Sequence, residues 1–214
     1  TLFRSDSFVF ITDLMASQIQ INERPWVRLE GIFDSKQIID TESINMYEKN
    51  ILYTGTLDSR YGILDLLEAF KLIPNSSYNL WICGDGNMRN SIIEYSLVDN
   101  RVKYFGQILH EEILVLQKKA TVLVNPRTSK GEYTKYSFPI KTMEYLASGK
   151  PCIMHNLPGI PNEYLEYLFI PNYETPSSLC EKIIEVCNMD IGLLNEDRKS
   201  VVEGKSVNLG GGRF

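Results

Sequence analysis

The chain has 214 residues, 43% hydrophobic and 11% aromatic, with a formal net charge of −5. Such a composition excludes a disordered protein and is enough for a real core. The acidic balance argues against a surface that coats nucleic acid. No apolar run approaches the ~20 residues a membrane-spanning helix needs, and no signal peptide is visible, so a cytoplasmic location is expected. Cys83, Cys152, Cys180 and Cys187 show no C-x-x-C spacing. With only His110 and His155 beside them, a reduced compartment and no metal site are expected.

In chain order, residues 8–34 (FVFITDLMASQI, then WVRLEGIFD) predict a strand, a helix and a strand with no helix following. They are expected to be the last piece of a preceding domain, over 1–34, followed by the polar, acidic stretch 35–50 as a linker. A domain over 51–190 follows, in which short apolar runs alternate with amphipathic ones. ILYTG (51–55), NLWICGDG (79–86), VKYFG (102–106), TVLVNP (121–126), PCIMH (151–155) and LFIP (168–171) are the expected strands. Helices are expected over 63–73, 87–98, 110–120, 139–148, 161–168 and 176–189. Runs this continuously apolar mark strands covered on both faces. Strand–helix repetition therefore predicts an α/β fold with a doubly wound parallel sheet and right-handed crossovers. Residues 197–214 lack core periodicity and hold four of the fourteen glycines, so a non-native tail is expected there.

Ligands of such sheets bind beyond the carboxyl ends of the strands, which directs attention to five loops. CGDG (83–86) puts Gly84 and Gly86 between a strand and a helix. These glycines either let a ligand approach the helix or simply supply positive φ in a tight turn. YTGTLDSRYG (53–62) is a second such turn, where Gly55 gives room and Arg60 is within reach of a phosphate. The loop NPRTSKGEYTKYSFP carries Arg127, Lys130 and Lys135, and Lys141 follows it. A cationic rim over a helix start with free amides suits a diphosphate, and Lys135 and Lys141 flank that start. Ser137 is the expected cap, Pro139 the first-turn residue and Gly149 the stop. Ile140, Met143, Leu146 and Ala147 carry the apolar face, and Glu144 lies ~40° from Ile140 on the helical wheel. A carboxylate at that edge needs partners. Beside a phosphate pocket it suits the vicinal hydroxyls of a ribose, whereas the alternative is a surface pair with Lys141. His155 ends a strand at the productive edge, but a lone histidine is usually structural.

The blocks YTGTLDSRYGILDLLEAF, LWICGDGNMRNSI, VKYFGQ, VLVNPR and KYSFPIKTMEYLASGKPCIMHNLPGIPNEY resemble the C-terminal, donor-binding domain of group 1 (family 4) glycosyltransferases. The likeness is to the capsule and exopolysaccharide branch and runs from about Ser7 to Asn188. It implies one Rossmann-like half of a GT-B enzyme and a nucleotide-sugar donor, commonly a UDP-sugar. It also implies retaining transfer to an acceptor hydroxyl of a saccharide or lipid-linked saccharide, with no required metal ion. The second glutamate of the family's E-x7-E motif falls on Glu144, in its ribose-binding role, and Ile140 and Tyr136 fall within the same donor-binding block. The first glutamate falls on Tyr136, and Glu132 is out of register. The family's arginine and lysine after the first strand fall on Thr56 and Tyr61, so Arg60, Lys135 and Lys141 are expected to compensate. Catalytic and acceptor-binding groups, and any peripheral contact with the membrane's inner face, are expected from a domain this chain mostly lacks, leaving it inactive alone. A nucleotide-sugar epimerase and a non-catalytic nucleotide- or sugar-binding module remain as alternatives.

Overall fold

The computed structural model describes residues 5–19, 21, 23–31 and 48–189. The expected tail, and all but the last three residues of the expected linker, lie outside the described residues. Near the start, β1 (Phe8–Phe10), α1 (Asp13–Gln18) and β2 (Trp26–Arg28) form the expected strand–helix–strand unit. Its two strands pair in parallel, with Phe8 opposite Trp26. Arg28 ties this unit to the rest of the chain by donating to Asp13, to Glu30 and, farther along the chain, to Glu163.

The main sheet follows in strict alternation. Its elements are β3 (Lys49–Thr54), α2 (Ile63–Lys71), β4 (Tyr78–Cys83), α3 (Arg89–Val98), β5 (Val102–Gly106) and α4 (His110–Lys119). They continue with β6 (Val122–Asn125), α5 (Ile140–Ala147), β7 (Cys152–Met154), α6 (Asn162–Leu165), β8 (Leu168–Phe169) and α7 (Pro176–Cys187). The strand order is β5-β4-β3-β6-β7-β8, and every pairing is parallel. The chain thus steps outward from β3 to one edge, returns beside β3, and steps to the other edge. The reversal opens a crevice between the carboxyl ends of β3 and β6, where doubly wound folds place their ligands.

The pleat divides the strand residues between two cores. Ile51, Tyr53, Leu80, Ile82 and Val124 pack with Leu66 and Phe70 of α2 and with Ile183 of α7. Leu52, Cys83, Leu123, Cys152 and Met154 pack on the other side with Met143 and Leu146 of α5. All four cysteines are buried thiols rather than disulfides, and Cys83 and Cys152 lie in the apolar strand runs where a thiol behaves as a small core residue. Two expectations need adjusting. β5 is an edge strand with alternating burial, so its outer residues Lys103 and Phe105 are exposed. Helix α6 is a single turn, because the strand β8 begins at Leu168. Among the described residues, no helix is long and apolar enough to cross a membrane.

Candidate functional site

A cavity of about 210 Å³ occupies the crevice between β3 and β6. Gly55, Thr56 and Tyr61 border it from the loop after β3, Asn125 and Arg127 from the end of β6, and Pro139 and Lys141 from the start of α5. Two of these are cations and no carboxylate is among them. A larger groove of about 560 Å³ lies at the amino ends of the strands, beside Lys71, Asp99 and Arg101. Its cations are already paired, Lys71 with Glu68 and Arg101 with Asp99, so it makes no comparable demand for an anion.

Glycines set the shape of the cavity. A Cβ on Gly84 (φ +136°) would lie 1.8 Å from the Gly55 carbonyl oxygen, and one on Gly86 would lie 2.4 Å from that of Leu57. The loops after β3 and β4 therefore cross in direct backbone contact, with the Gly55 amide donating to Cys83 and the Leu57 amide to Asp85. The tight-turn reading of Gly84 and Gly86 accounts for both residues; neither borders the cavity. Gly55 (φ +132°) does border it, and a Cβ there would lie 2.5 Å from Lys141 Nζ. Its lack of a side chain is what admits the ammonium.

Lys141 is placed by a neighbour one turn later in α5. The Tyr145 hydroxyl, fully buried, accepts from the Thr54 amide at 2.9 Å and lies 3.0 Å from Thr54 Oγ1. That bond fixes α5 against the end of β3. Residues four apart share a helix face, so Lys141 meets the same strand end, with Nζ 4.4 Å from the centre of the Tyr53 ring. Burial lowers its pKa to about 8; the Arg127 charge adds to this and Glu144 partly offsets it. Arg127 is held between aromatic rings, with Tyr133 at 4.8 Å and Tyr61 at 5.3 Å, and it donates to Ser137 Oγ at 3.0 Å. Its Nε and the Nδ2 of Asn125 are buried without a hydrogen-bond partner.

Several sequence expectations change here. Arg60 does not border the cavity; its guanidinium is exposed and folded back on Asp58 through two 3.0 Å bonds. That clasp holds Asp58 down at about 2, chiefly through the Arg60 hydrogen bonds. Lys135 is likewise exposed and paired with Glu132 at 2.9 Å. Helix α5 starts one residue later than expected, with Pro139 as its cap and no side-chain bond to the free amides, because Ser137 is engaged by Arg127. Ile140 is therefore 65% exposed rather than part of the buried stripe. Tyr136, half-buried, ends the short 3-10 turn before α5.

Glu144 does lie at a burial boundary, but the partners come from α4 and not from Lys141. The wholly buried Gln117 donates to its Oε1, and His110 Nε2 stands 3.8 Å from its Oε2. His155 is buried at the end of β7, with its pKa lowered by burial and Nδ1 unpartnered, and it does not border the cavity. Tyr61 and Asn125 had no place in the expected site, and Arg127 entered it only as one rim cation among several. The usable signal was position: Asn125 and Arg127 stand where the fourth strand ends beside the first.

Comparison with known proteins agrees with this architecture. Sucrose-phosphate synthase from Thermosynechococcus elongatus superposes with a TM-score of 0.73 at 19% identity, covering 96% of this chain and 57% of that one. Anabaena Alr3699/HepE, solved in complex with UDP-glucose, gives 0.73 at 14% identity over 94% of this chain and 60% of that one. Likeness at such identities establishes the fold, a doubly wound half of the GT-B type. Among curated proteins, alpha-monoglucosyldiacylglycerol synthase of Streptococcus pneumoniae is 26% identical over 168 residues, 76% of this chain and 36% of its own length. O-antigen chain mannosyltransferase B of Escherichia coli is 25% identical over 117 residues, 51% of this chain and 29% of its own length. The chain thus spans about a third of the length of these curated relatives. The family described as "Glycosyl transferases group 1" matches residues 48–189, two thirds of the chain. The chain belongs to the group 1 glycosyl transferases.

Proposed function

We propose that residues 48–189 form the nucleotide-sugar-binding half of a retaining hexosyltransferase that uses a UDP-sugar in polysaccharide or glycolipid synthesis. The observation that carries this reading is the pair Lys141 and Arg127, set without a carboxylate in a cavity at the sheet's reversal point. Preorganised positive charge in a partly desolvated site stabilises a departing diphosphate. With two cations in place, the reaction needs no metal ion. Glu144, held from behind by Gln117, accepts from the ribose hydroxyls. The acceptor is a saccharide or lipid-linked saccharide, bound together with the catalytic groups by parts of the protein outside 48–189. The reaction takes place in the cytoplasm, at the inner face of a membrane. Named relatives that glycosylate a diacylglycerol lipid and an O-antigen chain support such acceptors. A neighbour solved with UDP-glucose supports the donor.

Calorimetric titration with UDP, GDP and ADP tests the donor site. Selective UDP binding, weakened about tenfold or more in Glu144→Ala, is expected, since hydrogen bonds to a charged group are worth roughly 1.5–3 kcal/mol. Absence of nucleotide binding, or equal binding by Glu144→Ala, refutes the site or the clamp respectively.

A further inference from the structure

Helix α1 buries none of its side chains, so polar links rather than apolar packing decide where it sits. Thr12 stands in the capping position before it but does not cap it. The residue is buried, and its hydroxyl donates instead to the carbonyl of Lys135 at 3.3 Å. Lys135 belongs to the 3-10 turn Glu132–Tyr136, against which α1 packs. The same stretch touches the loop that leads into α6. A Cβ on Gly159 would lie 2.6 Å from the Ser137 carbonyl oxygen and 2.9 Å from that of Thr134. Arg28 joins these two supports. Its guanidinium donates to Asp13, in the first turn of α1, at 2.6 Å, to Glu30 at 2.6 Å, and to Glu163 of α6. Without that cation the three carboxylates would face one another and repel. None of these groups borders the cavity. Yet the supported turn carries Tyr133, whose ring lies against the Arg127 guanidinium, and runs into Ser137, which accepts from it.

We infer that Arg28 is a positioning residue for the donor site: by bridging α1 and α6 it holds the 3-10 turn in place and, through Tyr133 and Ser137, fixes the guanidinium of Arg127. This rests on the donor-binding reading above and adds a control exerted on it from outside residues 48–189. The strand–helix–strand unit is then a working part of the donor half, and its attachment sets how well the anion is met.

UDP is titrated calorimetrically into the full chain and into Arg28→Met, Glu163→Gln, Arg127→Lys and the double variant Arg28→Met, Arg127→Lys. Amide hydrogen exchange is followed over residues 131–137 in each. Arg28→Met is expected to weaken UDP binding roughly two- to thirtyfold, the range for substitutions that act on a site through intervening residues, and to speed exchange in 131–137. Glu163→Gln, which weakens only the link to α6, should move both readouts the same way by less. The double variant should lose little beyond Arg127→Lys alone, because the fork that the turn holds is already gone. A merely stabilising role for Arg28 would make the two losses independent. Unchanged UDP affinity in Arg28→Met, independent losses in the double variant, or unaltered exchange each overturns the positioning role and leaves the donor site standing. Wild-type protein that binds no UDP overturns the donor reading, and the role of Arg28 with it. Should Arg28→Met fail to fold, Arg28→Lys takes its place: it keeps the charge but loses the fork that meets three carboxylates at once, and the same outcomes decide.

Discussion

Lys141 should make the empty protein less stable. Its pKa falls from 10.5 to about 8 in the folded chain, and each unit is worth ~1.36 kcal/mol. The charged lysine therefore costs the fold about 3 kcal/mol at neutral pH. Removing it also forfeits a cation–π contact with Tyr53 worth ~0.5–1 kcal/mol, which leaves a net of about 2 kcal/mol. Lys141→Met keeps the apolar stem and should raise the ligand-free melting temperature by about 4–8 °C at pH 7. The sign follows from linkage. Between pH 8 and 10.5 the unfolded chain holds a proton that the folded one has released, so the wild type gains stability as pH rises through this window. The advantage of Lys141→Met should shrink over the same interval and vanish above it. Tyr53, Arg127 and every other titrating group contribute to both proteins, so the difference between two urea-denaturation series isolates Lys141. A Lys141→Met protein no more stable than wild type at pH 7, with a difference flat to pH 10, would refute the idea of a desolvated cation awaiting an anion.

Tyr145→Phe deletes the acceptor of the buried Thr54 amide. A cost of about 1–3 kcal/mol is expected by chemical denaturation, and UDP should bind more weakly because α5 no longer fixes Lys141; unchanged stability would contradict this role. The double variant Arg60→Ala, Lys135→Ala should change UDP affinity less than about twofold, because both groups are exposed, already paired, and outside the cavity. A tenfold loss in calorimetry would restore them to the site.

The strand–helix alternation was legible because both-face burial leaves continuous apolar runs, and the short helix α6 was overestimated because Tyr164, Leu165 and Leu168 carry a helical spacing across the Glu166–Tyr167 turn into β8. The location of the site followed from topology alone, since the reversal point is where Gly55, Lys141 and the β6 loop meet. The choice of cations did not. Arg60 and Lys135 stand next to Asp58 and Glu132 in the sequence, and short-range pairing claimed both. Arg127 looked like one rim charge among several until the rings of Tyr61 and Tyr133 were seen to hold it. Glu144 was found by its place on the helical wheel, yet its orientation is set by Gln117, 27 residues earlier, a pairing no helical period encodes.

The crossing of the β3 and β4 loops limits how this site can be redesigned. A methyl at position 84 would strike the Gly55 carbonyl, and a methyl at position 55 would strike the Lys141 ammonium. The three positions are coupled by exclusion, so the cavity's volume is maintained partly by a residue that never touches it. Attempts to retune ligand preference by enlarging side chains should leave this glycine pair alone and begin at Thr56 and Pro139, which border the same space and already carry a Cβ. A drifting lineage faces the sharpest constraint at position 84, where an alanine would meet fixed backbone and be eliminated as a folding defect before any new specificity could be selected.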